Sequence, residues 1–444
     1  MRLQILFPSF QLVAAIAAID AQSLCAQNML SLEEAIATGL KNNYAISISR
    51  NEAAIAENNS SLGNAGFLPS ITADAGYAES TQDTKQQFVA GNFIDRKGAE
   101  SESRRTGLAL SWTVFDGFRM FNARRRLANL QEIGETGLRA EAEVTVAEIV
   151  AAYFDVVRQE RILNAAQEAV EISQRRVELA EERFAVGSGA GLEVLQAKVD
   201  LNTDRSSLLR QELAVTNAKI ALNQLLAREP TTEFTPSDTI RIAFDLNYDN
   251  LKQATGRRNS ALQVAAMNRN VSRLELKEVQ AERLPEINLT SGYNYSRSSS
   301  SAGFVVSSRA TGYNFGLTAS LNLFDGFNTN RRAENARMAI QNADLAYQEM
   351  ANEIEARLAA AFQNYQKSSQ LIALERENLK VAQENVDVTF ERFRLGTITS
   401  VELREAQVNF INAGNRIVLA EYDAKVAETE LLRLSGQLLP EENR

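Results

Sequence analysis

Apolar and polar residues alternate in four short stretches of the chain, and each pair of stretches leads into a long segment with helical periodicity. Alternation over nine or ten residues is typical of a β-strand with one apolar face. The sequence therefore predicts strands over 69–78 and 106–115 and again over 287–294 and 315–324. The strand at 106–115 ends on Phe-Asp-Gly-Phe and is followed by a helical segment over 118–186.

The second half of the chain repeats the first at a constant spacing. Phe115-Asp116-Gly117 returns at 324–326, and Arg183-Phe184 returns at 392–393, both 209 positions later. Leu68-Pro69 matches Leu284-Pro285 at a spacing of 216, so the segment before the last strand is shorter in the second copy. A spacing that holds over such a distance indicates a tandem duplication.

Each repeat has the order helix, strand, loop, strand, long helix, turn and return helix. In the first repeat we expect the opening helix over 31–65 and the polar loop over 79–105. Pro230 and Pro236 interrupt helicity between the repeats. The predicted organisation is a signal peptide (1–26), repeat one (27–228), a linker or equatorial segment (229–249), repeat two (250–438) and a C-terminal tail (439–444).

The helical segments carry an apolar residue at every seventh position. In the first repeat these are Val156, Leu163, Val170, Val177 and Phe184, and in the second they are Tyr365, Ile372, Leu379, Val386 and Phe393. The return helix offers Leu192, Leu195, Val199, Leu209, Leu213 and Ile220 at spacings of three and four residues or sums of these. This pattern predicts long antiparallel coiled coils in which each long helix packs on its own return helix.

Composition excludes most catalytic chemistry. The chain has no His and one Cys, which removes imidazole metal sites, disulfides and nucleophile–base pairs that need His. We therefore expect no enzymatic activity, no cofactor and no metal site. The net charge of −9 also argues against nucleic acid as a partner.

The first 26 residues resemble a secretory signal peptide, because Arg2 precedes an apolar stretch that ends in small residues near Ala26. A buried N-terminal helix is the alternative. Gln-Ser-Leu before Cys25 lacks the small residue that normally precedes an acylated cysteine, which argues against lipidation. The predicted location is outside the cytoplasm.

The length and alternation of the strands suit a tilted segment that crosses an outer membrane, with apolar side chains toward lipid. Half-buried strands of soluble proteins alternate in the same way, so the pattern alone leaves both locations open. The polar loops between the strands and the signal peptide favour the membrane. Four strands cannot enclose a lumen, and open strand edges are not tolerated in lipid, so several chains must share one barrel. Three copies give about twelve strands, within the range of bacterial barrels.

The order and duplication of several motifs resemble the TolC-type outer-membrane efflux proteins over nearly the whole mature chain. The motifs are SLEEAIATGLKNN, FLPSITADAGY, the paired FDGF elements, ERFAVGSGAGLEVLQA and ERFRLGTITSVELREA. The resemblance implies a mainly α fold in which long helices form an α-barrel tunnel and four transmembrane strands per protomer join a trimeric twelve-stranded barrel. It also implies a homotrimer in outer-membrane lipid that extends into the periplasm. Its implied partners are a periplasmic adaptor and an inner-membrane transporter of the RND, ABC or MFS type.

Functional residues are expected where the long helices reverse direction. Gly187 and Gly396 permit the turns. The segment after Gly396 resembles the family's constriction, whose acidic pair corresponds to Glu402 and Glu405. This chain departs from the family in having Glu rather than Asp there, and the first repeat supplies Glu193 but Gln196.

We also make predictions for residues near these turns and at the ends of the strands. Arg404 replaces the Leu195 of repeat one, which suggests an ionic latch between helices. Asp116, Gly117, Asp325 and Gly326 are interpreted as structural strand-to-helix turns, with Asp capping the helix and Gly permitting the bend. The residues expected to dock an adaptor are Arg183, Gly187, Arg392, Gly396 and Thr397.

Together these features predict a passive exit duct of a tripartite efflux or secretion system. A periplasmic adaptor is one alternative, but it requires a single helical hairpin in a compact β-domain. A secreted structural coiled coil is the other, and it leaves the two matched strand pairs unexplained.

Overall fold

The computed structural model describes residues 29–89, 91–243, 245–302 and 305–439. The predicted signal peptide with Cys25, and residues 440–444 of the predicted tail, lie outside the described residues. The contacts divide the chain into two units. One contains the described residues up to Arg50 together with Leu138–Ala261 and those from Ala351 onward, and the other contains Asn51–Gly137 and Leu262–Met350.

The elements form two similar series, which confirms the duplication in the fold. The first series is β1 (Met29–Leu30), α1 (Leu32–Asn42), α2 (Tyr44–Asn59), β2 (Ser70–Gln87), β3 (Phe93–Asp116), α3 (Arg119–Ala185) and α4 (Gly191–Leu225). After β4 (Thr235–Pro236), the second series is α5 (Tyr248–Arg258), α6 (Ser260–Ala281), β5 (Glu286–Ser300), β6 (Ser307–Ser320), α7 (Asn328–Arg394) and α8 (Ser400–Leu434). The long helices α3 and α7 have 67 residues each, and α4 and α8 have 35 each.

The four long strands form one antiparallel sheet in the order β2-β3-β5-β6. Opposed residues of antiparallel strands lie on the same face. One face carries mainly apolar and aromatic positions from all four strands, including Ile71, Ala73, Leu108, Leu110, Trp112, Leu289, Tyr293, Tyr313, Phe315 and Leu317. The other face carries small or polar positions, including the row Ser70, Ser111, Thr290 and Gly316. The predicted alternation is confirmed, but the last strand differs from the predicted 315–324, since β6 begins at Ser307 and ends at Ser320. Among the described residues the sheet does not close, and β2 and β6 are its edges.

The first two strands are longer than the alternation predicts. The expected loop over 79–105 is mostly strand, because β2 continues to Gln87 and β3 begins at Phe93. The backbone ladder continues through polar pairs such as Ser80 and Ser101, whose hydroxyls are 2.8 Å apart. Strand pairing depends on backbone hydrogen bonds, so it extends past the point where the apolar side chains stop.

The Phe-Asp-Gly-Phe segment turns strand β3 into helix α3. The Asp116 carboxylate accepts a hydrogen bond from the backbone N–H of Met120 at 2.8 Å, which caps the helix. Gly117 has φ +69° and a side chain there would meet the carbonyl oxygen of Ala281 at 2.4 Å, so only glycine fits. In the second repeat, Asp325 accepts from the backbone of Thr329 at 2.6 Å.

The predicted opening helix over 31–65 is divided at Asn43, and the equivalent helix of repeat two is divided at Asn259. The Asn43 side-chain amide donates to the carbonyl of Leu225, and the Asn259 amide donates to the carbonyl of Leu434, both at 2.9 Å. Leu225 and Leu434 are 209 positions apart. Equivalent residues of the two repeats therefore make equivalent contacts, with each Asn satisfying an end carbonyl of a return helix.

The seam of the coiled coils is only partly as predicted. Val156, Val177, Tyr365, Val386 and Phe393 are buried, as the heptads indicate. However, the large apolar residues of the return helix α4 do not pack on α3: Leu192, Leu195, Val199, Leu209, Leu213 and Ile220 are all exposed. Small residues take their place, since Ala197 of α4 clusters with Ala180 of α3. None of the helices in the described part of the chain combines the length and apolarity needed to cross a bilayer.

Candidate functional site

The two long helical hairpins end in similar turns, at residues 183–193 and 392–402. Gly187 and Gly396 have φ of +80° and +74°, a conformation that favours glycine. The Arg183 carbonyl accepts from the backbone N–H groups of the two residues after Gly187, and the Arg392 carbonyl accepts from the backbone N–H and hydroxyl of Thr397 at 3.0 Å each. These contacts satisfy carbonyls at the helix ends and fix both turns.

Arg183 connects the two turns. Its guanidinium carbon lies 5.3 Å from the centroid of the Phe393 ring, a cation–π contact between the first hairpin and the second. A side chain at Gly396 would also come within 3.6 Å of the Arg183 guanidinium. Phe393 is fully buried beneath this contact, whereas the equivalent Phe184 is exposed. Arg183 thus packs against the neighbouring hairpin.

Glu402 closes the N-terminus of α8. Its carboxylate accepts from the Thr399 backbone N–H at 2.8 Å and from the Thr399 hydroxyl at 3.0 Å, while its own N–H donates to that hydroxyl. This capping box holds the pKa of Glu402 below its ordinary value, chiefly through the hydrogen bond from the Thr399 backbone. The Arg392 charge acts in the same direction. Glu402 is exposed and therefore ionised at neutral pH.

The other two acidic candidates have different surroundings. Glu405 lies one turn further along α8, is exposed, and makes no hydrogen bond or ion pair within the described part of the chain. Glu193 is in the first turn of α4 and is half-buried, with one carboxylate oxygen buried and unpartnered. No hydrogen bond or ion pair among the described residues joins Glu193 to Glu402 or Glu405. Glu402 and Glu405 are three positions apart on α8.

Arg404 forms an ion pair between α8 and α4. Its two terminal nitrogens lie 2.7 and 2.8 Å from the two carboxylate oxygens of Asp204, a bidentate arrangement. The side chains are only 20% and 10% exposed. The hydrogen bond to Asp204 raises the pKa of Arg404 above its already high ordinary value.

A small polar network extends from this pair to α3. The Ser173 hydroxyl donates to Asp204, and the Gln407 amide donates to the Ser173 hydroxyl at 3.3 Å. Sequence reasoning identified Arg404 and missed its partners. The signal for Asp204 was that repeat two has Ala413 at the equivalent position, so the first repeat carries a carboxylate where the second has a small apolar residue.

Three comparisons place these features among known proteins. The family model described as "Outer membrane efflux protein" matches residues 35–228 and 251–437. The chain is 22% identical to the outer membrane efflux protein BepC of Brucella suis, over 96% of this chain and 90% of BepC. It is 22% identical to the outer membrane protein TolC of Escherichia coli, over 79% of this chain and 72% of TolC.

Solved structures share the fold at low sequence identity. The CmeC outer membrane channel of Campylobacter jejuni superposes with a TM-score of 0.76 at 16% identity, covering 92% of this chain and 86% of CmeC. The family match spans both repeats and most of the sequence. The chain therefore belongs to the outer membrane efflux protein family, whose members are efflux channels of the outer membrane.

Proposed function

We propose that this protein is the outer-membrane exit duct of a tripartite efflux or secretion system, through which substrates pass passively from an inner-membrane transporter and its adaptor to the exterior. The observation that carries the proposal is the four-stranded sheet with one apolar face and two unpaired edges. In lipid, each backbone polar group needs a partner, so β2 and β6 must pair with strands of other copies. A homotrimer supplies about twelve strands.

The predicted organisation becomes part of this proposal. Repeats 27–228 and 250–438 would each contribute two strands and one helical hairpin, with 229–249 as an equatorial linker. This linker makes contacts within its own unit. Strand Thr235–Pro236 pairs with Met29–Leu30, and the Tyr153 hydroxyl donates a hydrogen bond to Asp238 at 2.9 Å. Cleavage after residue 26 and a tail over 439–444 complete the scheme.

Glu402 and Glu405 are the proposed constriction, with Glu193 as a third carboxylate nearby. Around a threefold axis, two residues three positions apart on α8 would form two stacked rings of carboxylates. Such rings favour cations. In a single chain, the hydrogen bonds from Thr399 hold the pKa of Glu402 below its ordinary value, which favours the charged form that such a ring needs.

The turns themselves are the proposed adaptor contact, involving Arg183, Gly187, Arg392, Gly396 and Thr397. Two apolar side chains next to the glycines, Val186 and Leu395, are 78% and 72% exposed. Exposed apolar residues at equivalent places in both turns suit a partner protein. Behind the adaptor, the proposed partner is an inner-membrane transporter of the RND, ABC or MFS type.

Charge neutralisation at the constriction tests the ring. We expect Glu402→Gln with Glu405→Gln to reduce the preference for cations in planar-bilayer recordings, because the fixed negative charge facing the pore is removed. Glu377→Gln with Glu384→Gln removes the same charge from exposed positions on α7 and is the matched control. Equal reversal potentials for wild type and the constriction variant, under a salt gradient, would refute the ring while leaving the duct intact.

A further inference from the structure

Three arginines form one row across the sheet. Arg104 of β3 is opposed to Arg297 of β5, which in turn is opposed to Arg309 of β6. Opposed residues of antiparallel strands lie on the same face, so the three side chains share one side of the sheet. The row continues onto β2 at Tyr77, whose ring centroid lies 5.6 Å from the Arg104 guanidinium carbon. It therefore crosses all four strands and places three positive charges side by side.

This row lies on the apolar face of the sheet. Every second residue of a strand points to the same face, so Arg297 shares its face with Tyr293 and Leu289 of β5. For the same reason Arg309 shares its face with Phe315 of β6. The three charges are thus on the face that meets lipid in the proposed duct.

The height of the row matches the edge of an outer-membrane apolar band. Ile287 lies at the end of β5 that follows helix α6, and Arg297 is ten positions further on, or about 34 Å along the strand. A strand tilted by about 40° covers about 26 Å of membrane thickness over that length, and a typical apolar band is about 25 Å tall. In the proposed duct, the arginines therefore stand where the hydrocarbon ends and the head groups of the exterior leaflet begin.

The charges of Arg297 and Arg309 are not compensated by the chain. Both side chains are exposed, and neither makes an ion pair or a hydrogen bond within the described residues. Like charges that stand directly opposite each other on neighbouring strands weaken the pairing. The nearest positions on the same face, to either side of this pair, are Tyr295, Thr311, Ser299 and Ser307. An anion held between the two guanidinium groups relieves their repulsion.

Arg104 differs from the other two members of the row. Its Nε–H donates to the Glu102 carboxylate at 2.6 Å, so its charge is partly neutralised within β3. The uncompensated positive charge is therefore concentrated on β5 and β6, at Arg297 and Arg309.

We propose that Arg297 and Arg309 bind a phosphate group of lipopolysaccharide, the phosphorylated glycolipid of the exterior leaflet, while its acyl chains lie along the apolar face of the sheet. Guanidinium groups bind phosphate oxygens through paired N–H donors, which gives strong charge-assisted hydrogen bonds. Tyr293 and Phe315 offer aromatic surface to the acyl chains on the same face. This inference rests on the proposed function, because it needs the apolar face to meet lipid. It goes further in assigning the lipid and the residues that hold it.

Native mass spectrometry of the signal-processed channel in detergent, titrated with bis-phosphorylated lipid A, tests the site. We expect Arg297→Gln with Arg309→Gln to weaken binding by about thirtyfold, because each arginine at a charged lipid surface contributes about fivefold. Arg297→Lys with Arg309→Lys keeps both charges and should bind lipid A more tightly than the glutamine variant. Equal weakening in the lysine and glutamine variants would contradict a role for the charge.

Arg105→Gln is the matched control for Arg297→Gln, since each removes one positive charge from the sheet. Arg105 follows Arg104 in β3 and therefore lies on the opposite face. It shares that face with Ser296 and Ala310. Arg297→Gln should weaken lipid A binding by about fivefold, whereas Arg105→Gln should leave it unchanged. Equal losses would show that net charge, rather than this row, attracts the lipid.

Two further probes identify the chemistry that is bound. Dephosphorylated lipid A should bind the wild-type channel as weakly as bis-phosphorylated lipid A binds the double glutamine variant. Inorganic phosphate should not displace lipid A, and complete displacement would indicate a site for soluble phosphate and overturn the lipid assignment.

The outcomes also separate this inference from the proposed function. Equal affinity of the wild type and the double glutamine variant for lipid A, in channels of unchanged mass and conductance, would overturn the inference and leave the duct standing. A wild-type monomer with no conductance would overturn both.

Discussion

The ion pair between Arg404 and Asp204 offers a sharp test, because the duplication supplies natural replacements for both residues. Repeat one has Leu195 in place of Arg404, and repeat two has Ala413 in place of Asp204. We therefore consider Arg404→Leu, Asp204→Ala and the double variant. Each single change leaves a mostly buried charge without its partner, whereas the double variant puts at both positions the apolar residues that the other repeat carries there.

The geometry of the ion pair determines how much stability each variant is expected to lose. Two hydrogen bonds of 2.7 and 2.8 Å join side chains that are 20% and 10% exposed. Losing one member of such a buried pair costs about 3–5 kcal/mol, and replacing both with apolar residues is often close to neutral. The Ser173 hydroxyl, which donates to Asp204, reduces the cost of Arg404→Leu. We expect each single variant to destabilise the hairpins and the double variant to recover most of that loss.

The assay combines unfolding with conductance. A double-mutant cycle measured by denaturant unfolding in detergent should show a coupling energy of at least about 1 kcal/mol. A gate latch stabilises the closed state, so for that role each single variant should raise the ratio of open to closed channels in bilayers by about tenfold for every 1.4 kcal/mol removed from the closed state. Additive effects on stability would refute the energetic reasoning. Strong coupling with unchanged open probability would refute the latch alone.

Two other predictions concern the linker and the strands. Tyr153→Phe should lower the free energy of unfolding by about 1–3 kcal/mol, because the buried hydroxyl bonds to the Leu30 carbonyl and to Asp238. Burial and Asp238 raise the pKa of Tyr153 to about 12, so the stability it contributes is complete below pH 10 and is lost as the pH rises from 10 to 12. Thermal unfolding across that range should fall more steeply for wild type than for Tyr153→Phe, and parallel curves would contradict the assignment. Leu110→Arg should cost about 2–4 kcal/mol if that face meets lipid. Ser111→Arg, on the opposite face of the same strand, should fold normally, and equal losses would contradict the assignment of faces.

Several features of the fold follow from the sequence because their causes are local. Asp116 and Gly117 form a strand-to-helix turn because a capping carboxylate and a residue able to adopt φ +69° are both present. Gly187 and Gly396 end the long helices for the same conformational reason. The duplication was visible as a fixed spacing of 209, and the strand faces were visible as alternation.

Other features depend on partners that periodicity does not identify. The stripe containing Leu209 and Leu213 was predicted to pack on α3, and this was wrong, since both side chains are exposed and helical spacing does not say which surface covers such a stripe. The extension of β2 to Gln87 rests on backbone pairing, which leaves no apolar pattern in the sequence. Asp204 was missed as the partner of Arg404 because the two residues are 200 positions apart.

The central claim is that several copies of this chain jointly form one membrane channel. The most direct measurement is the mass of the signal-processed protein after extraction from the outer membrane, determined by light scattering corrected for bound detergent. The account predicts three chains in one particle that aggregates when detergent is withdrawn. A stable single chain in buffer without detergent would contradict it, because the unpaired edges of β2 and β6 would then have no membrane or neighbour to satisfy them.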